Sequence, residues 1–158
     1  MELNKTYITN KGRALMAKIG AGTSTSFTKM AVSSQSYTDS TASSVFEALT
    51  SLPNVKQTTL ISDVKIRDSV YIDVKAAVSN AGLSAGYKVG CLGFYAKDPQ
   101  DGEILYAVAP VKEGTGDWFP GDNGKNASSL EVSLTIQVGN SANVSMNVDA
   151  GAFATVSM

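Results

Sequence analysis

The chain is predicted to fold as a mainly β (α+β) protein: a β-sandwich-like domain of antiparallel hairpins with two short helices in its N-terminal third. Three observations carry this expectation. Leu130, Val132, Leu134, Ile136 and Val138 alternate with Glu131, Ser133, Thr135 and Gln137, the period-two pattern of a half-buried strand. Residues 87–96 are almost wholly apolar and run into Lys97-Asp98-Pro99-Gln100-Asp101-Gly102, where proline presets one dihedral and Asp-Gly reverses the chain. Helical spacing is confined to two short stretches, near residues 10–19 and 44–50.

Taken in order, residues 6–8 form a short strand. Thr9 or Asn10 then caps a helix that ends near Ile19. Leu15 and Ile19, with Ala14 or Met16, face the core, and Arg13 and Lys18 face outward. Gly20-Ala21-Gly22 stops this helix. Residues 26–32 form a strand with Phe27, Lys29 and Ala31 on one face and Thr28, Met30 and Val32 on the other. Residues 33–43 are small and polar, a loop. Ser44-Val45-Phe46-Glu47 fits a capping box, with a helix running to about Thr50 and Pro53 beyond it.

From residue 55 onward the chain reads as β. Residues 57–66 and 69–78 are rich in Thr, Ile, Val and Tyr, which suit a pleated surface. The apolar run 87–96 is a strand buried on both faces, and residues 103–111 return as its hairpin partner. Residues 112–129 make a long polar loop around Trp118-Phe119-Pro120. Val144, Met146 and Val148 complete a second hairpin after Gly139-Asn140-Ser141, and residues 153–156 are a terminal strand. With no internal repeat and no dividing linker, residues 1–158 are expected to be one domain.

Composition narrows the function. Thirteen Lys+Arg are scattered among 14 Asp+Glu for a formal charge of −1, so no basic patch for nucleic acid is expected. No apolar stretch approaches the ~18 residues of a membrane helix, and MELNKTYITNKG lacks the apolar centre of a signal peptide. The chain has no histidine, which rules out Ser-His-Asp and Cys-His catalysis within it. The one cysteine, Cys91, lies in an apolar run and reads as a core residue. No enzyme activity, metal or cofactor is expected.

The acidic groupings are better explained as turns. Asp98, Asp101 and Glu103 flank a proline-glycine hairpin turn, and Asp117, Asp122 and Asn123 do not match the spacing of a calcium loop. Trp118 and Phe119 stand out as two large aromatics in a glycine-rich loop. They either anchor that loop or present a protein contact, where tryptophan is enriched.

The segment YITNKGRALMAKIGAG…FTKMAV resembles the start of the phage tail-collar fibre family, which supplies N-terminal baseplate-attachment domains of tail fibres. The likeness continues through LTSLPNVKQTTLISDVKI, AAVSNAGLSAGYKVGCLGFYAKDPQDGEILYAVAP and DWFPGDNGKNASSLEVSLTIQVGNSANVSMNVD. The resemblance implies a virion structural protein made in the host bacterial cytoplasm and placed in the tail or baseplate. Its partners would be other tail and baseplate proteins and further copies of itself, as a trimer, with a host-surface glycan reached through a fibre. Arg13, Lys18, Trp118 and Phe119 are the candidate contact residues. The alternative is a carbohydrate-binding β-sandwich gripping host glycans through Trp118, Tyr87 or Tyr95. A hydrolase using Asp117 and Asp122 is a weaker third expectation.

Overall fold

The computed structural model describes residues 1–20, 26–148 and 156–157. The elements in chain order are β1 (Tyr7–Ile8), α1 (Asn10–Gly20), β2 (Ser26–Ser33), α2 (Ser43–Glu47), β3 (Val55–Arg67), β4 (Tyr71–Ser79), β5 (Tyr87–Lys88), β6 (Cys91–Asp98), β7 (Gly102–Pro110), β8 (Trp118–Phe119), β9 (Asn126–Ala127), β10 (Ser129–Gln137), β11 (Asn140–Val148) and β12 (Val156–Ser157). The protein is mainly β, with 52% strand and 11% helix among the described residues. The expected stack of hairpins is realised as one eight-stranded sheet, ordered β1-β7-β6-β2-β3-β4-β10-β11, that curls into a nearly closed barrel. Two small two-stranded ribbons, β5-β8 and β12-β9, lie apart from it. The helix stop expected at Ala21 and Gly22 and the strand expected at residues 153–155 lie outside the described residues.

The curl comes from β3. Its first half pairs with β2 (Lys29 opposite Leu60, Val32 opposite Gln57) and its second half with β4 (Val64 opposite Val74, Ile66 opposite Ile72). The register shifts between Ile61 and Asp63, so Ser62 is an extra residue, a bulge that bends the strand and turns the sheet's corner. Side chains of β3 also brace the neighbouring strand: Thr59 Oγ1 donates to the Ala77 carbonyl (2.9 Å) and Ser62 Oγ to the Lys75 carbonyl (3.0 Å).

A second shift, between Phe27 and Lys29, corrects the face assignment made for β2. The extra residue Thr28 turns Phe27 onto the face of Met30 and Val32, so all three enter the main core, while Ala31 packs in a separate cluster. Strict alternation could not anticipate the bulge, because nothing in Ser-Phe-Thr-Lys marks it.

The barrel interior is filled by Met30, Val32, Val74, Leu92, Phe94, Tyr106, Leu130, Val132, Leu134 and Ile136, each at most 1% exposed. The expectation that residues 87–96 are buried on both faces holds for β6, whose outward residues have their own cover. Cys91 and Tyr95, with Ala31, Leu105 and Val108, pack beneath Phe46 and Leu52 of the 34–54 segment. A side chain at Gly93 would meet Leu52 Cδ1 at 2.8 Å, so glycine there lets the cover seat directly on the sheet.

Helix α1 lies against β7, with Leu15 and Met16 buried and Ile19 partly so; Ala14 is exposed. Thr9 caps it: its hydroxyl oxygen accepts from the Gly12 amide at 3.0 Å and its hydroxyl donates to the Leu105 carbonyl. A methyl at Gly12 would collide with the Tyr106 carbonyl, which explains a glycine inside a helix. The expected capping box of α2 is not formed. Its N-cap is Ala42 with no side-chain hydrogen bond, and the helix ends at Glu47, whose carboxylate instead receives Arg13.

Candidate interaction surface

Trp118 and Phe119 form β8, which pairs with β5 so that Tyr87 faces Phe119 and Lys88 faces Trp118. Strand alternation sends the two aromatics to opposite sides. Phe119 is fully buried and its ring stacks on Tyr87, with centroids 5.8 Å apart and planes at 22°. Trp118 is 63% exposed. The site of a Cβ at Gly86 lies 2.8 Å from Trp118 Cε2 and Cζ2, so the indole rests on bare backbone there. The paired candidates therefore separate: Phe119 anchors the ribbon from inside, and Trp118 alone offers a face.

Arg13 and Lys18 both point away from the core, and both have partners within the chain. Arg13 pairs with Glu47 of α2. Lys18 Nζ lies 2.9 and 3.0 Å from the two carboxylate oxygens of Asp98 and 3.1 Å from Gln100 Oε1. Lys11 adds a third tie, to Asp101 at 2.9 Å. These pairs fasten α1 to the β6–β7 turn and to α2, so its cations are structural clamps before they are contact residues.

The acidic groups behave as turn-makers. Asp98 accepts from Lys18 and from the amides of Gln100 (2.8 Å) and Asp101 (3.3 Å), which together hold its carboxyl below the usual range. Glu103 is lowered by the Thr28 hydroxyl at 2.6 Å and by Lys29 at 3.1 Å. Asp122 accepts from the Gly82 and Gly124 amides at 2.8 and 3.0 Å and is likewise lowered, while Asp117 pairs with the Met1 amino group at 3.0 Å. Among the described residues no group of three or more acidic, cysteine or histidine side chains is placed to hold a metal.

Of the aromatics named for a sugar platform, Tyr87 and Tyr95 are buried at 5% and 8% exposure. The Tyr87 hydroxyl donates to Gln57 Oε1 at 2.7 Å, and burial raises its pKa. The Tyr95 hydroxyl accepts from the Leu52 amide at 3.0 Å, and Lys29 Nζ sits 4.7 Å from its ring centroid. Cys91 is buried, and desolvation pushes its thiol up to about 11, an unreactive setting.

Sequence reading missed the exposed apolar groups of β3. Leu60 is 78% and Ile66 74% exposed. Ile66 shares a face with the core residue Val74 through the β3–β4 pairing, but it lies near the hairpin tip. Period two puts Val64 and Ile66 on one face but does not say where the rest of the barrel ends. No helix among the described residues is long and apolar enough to cross a membrane.

In comparison with known proteins, no family model, curated protein or solved structure matches the chain.

Proposed function

We propose that this protein is a structural part of a phage or phage-tail-like particle, an adaptor in the tail or baseplate that attaches receptor-binding fibres. On this reading it is made in the host bacterial cytoplasm, assembles as a homo-oligomer, with a trimer implied by the resemblance, and reaches host glycans only through a fibre. The resemblance of its ordered phrases to the tail-collar fibre family supports the reading. The observation that carries it is the Trp118 indole, 63% exposed beside a buried Phe119–Tyr87 stack. An exposed tryptophan is a preferred anchor for protein contacts, and the charged groups around the helix and turns are already engaged in holding the fold.

The test is gold labelling of this protein on purified particles in the electron microscope, with Trp118→Ala in parallel. Labels at the tail tip or baseplate, and loss of fibres or of incorporation in the variant, are the expected results. Labels elsewhere would overturn the adaptor reading. The same open indole also favours a second reading, direct stacking on a host-surface sugar, and a glycan array with the whole chain separates the two. Saccharide binding abolished by Trp118→Ala would replace the adaptor with a glycan receptor.

A further inference from the structure

The barrel has a seam. Strands β1 and β11 are the two ends of the eight-stranded order and, among the described residues, share no ladder. Residues 2–4 extend the β1 edge along the chain leaving β7: the Lys112 amide donates to the Glu2 carbonyl (2.8 Å), the Asn4 amide donates to the Pro110 carbonyl (2.9 Å), and Leu3 sits opposite Val111. Those bonds use Glu2 and Asn4, so strand geometry directs the amide and carbonyl of Leu3 the other way, into the seam. Alternate residues of β11 direct theirs toward it from the far side, because β10 occupies only one flank of that strand.

Near Tyr7–Ile8 the seam is narrow, with Cα atoms of β1 and β11 within 8 Å. A strand lying between two others needs roughly 9–10 Å, twice the ladder spacing. Toward Met1 lies a cleft of about 530 Å³ lined by residues 1–5, Lys112 and residues 146–148. Its walls are two backbone edges. Met146, Leu3 and Val148 supply apolar contacts on the core side. At the rim, Glu2 is 3.8 Å from Lys112, and the Lys5 ammonium stands 5.7 Å from the Tyr7 ring centroid, leaving two cations against one carboxylate.

We propose that this cleft is a strand-addition site for a short extended arm of a partner protein, apolar at its inward positions and acidic at an outward one. An extended backbone is the ligand class that can hydrogen-bond both facing edges at once, the inward pattern follows from Leu3, Met146 and Val148, and the acidic outward residue answers Lys5. The inference deepens the adaptor reading by giving it an attachment point. It rests on that reading for the partner's identity alone.

The probe is a six-residue peptide alternating valine and aspartate, titrated onto the full chain by calorimetry, with an analogue N-methylated at alternate amides. Binding is expected for the first, with slowed amide exchange at Leu3 and in residues 146–148, and at least tenfold weaker binding for the second. Lys5→Glu is expected to weaken the aspartate peptide at least tenfold and to favour a valine–lysine peptide. No binding, equal binding of the methylated analogue, or indifference to Lys5→Glu overturns the proposal. Those outcomes leave particle labelling unaffected, so failure of the cleft and failure of the adaptor reading are distinguishable.

Discussion

At the scale of single residues, neighbours in sequence have opposite fates here. Phe119 fills the interior against Tyr87, whereas Trp118 lies on the surface over Gly86. Phe119→Ala is expected to cost about 3–5 kcal/mol, the range for emptying a buried aromatic site. Trp118→Ala is expected to stay within about 0.5 kcal/mol, as surface changes usually do. Urea unfolding of both variants checks the contrast, and a Trp118 variant as damaged as the Phe119 variant would mean that the indole is a packing group. The sequence named this pair as the notable one but left its two roles undivided. Division required knowing that the segment is a strand, paired to residues 87–88, and the polar composition of 112–129 conceals that.

Among the elements, α1 shows how charge and burial cooperate. Leu15 and Met16 seat the helix, and Lys11, Arg13 and Lys18 tie its outer side to Asp101, Glu47 and Asp98. The helix was legible from its spacing and from a cap at Thr9 or Asn10, between which the structure chose Thr9; its clamps were not, because Lys18 and Asp98 are 80 positions apart. The Asp98 carboxyl is held down chiefly by Lys18 and then by the Gln100 amide. A lowered folded-state pKa gives stability that is fully present above the unfolded value, near 3.9, and is lost as pH falls through the lowered one. Stability is therefore expected to drop below about pH 4, and Asp98→Asn to be less stable at neutral pH with a shallower acid limb. Urea midpoints across pH check this; an unchanged acid slope in the variant would remove Asp98 from the account. The strands β2 and β3 teach a related lesson. Their periodicity was readable, but extra residues, Thr28 in β2 and Lys56 and Ser62 in β3, shift the ladder registers.

For the whole molecule, topology sets the folding route. The first strand pairs with β7, Tyr7 opposite Val108, and β2 pairs with β6, Met30 opposite Phe94. Closing such long loops before their contacts form makes folding slow, on the order of milliseconds to seconds. Stopped-flow refolding followed by the single tryptophan, Trp118, tests this, and submillisecond folding would contradict it. The chain's own composition and periodicity determined the mainly β class, the hairpin at residues 97–102, a second hairpin near Gly139, the first helix, and the placement of Cys91 in a core. These are local matters: side-chain alternation, turn chemistry and propensity act over a few residues and are written in adjacent letters. Only the tertiary structure decided that the hairpins join one sheet turning a corner at Ser62, that residues 34–54 cover its outer face, that Trp118 and Phe119 part company, and that a seam stays open between β1 and β11. Each depends on which distant backbone edges and apolar faces meet, and that is settled by shape and burial across the whole chain.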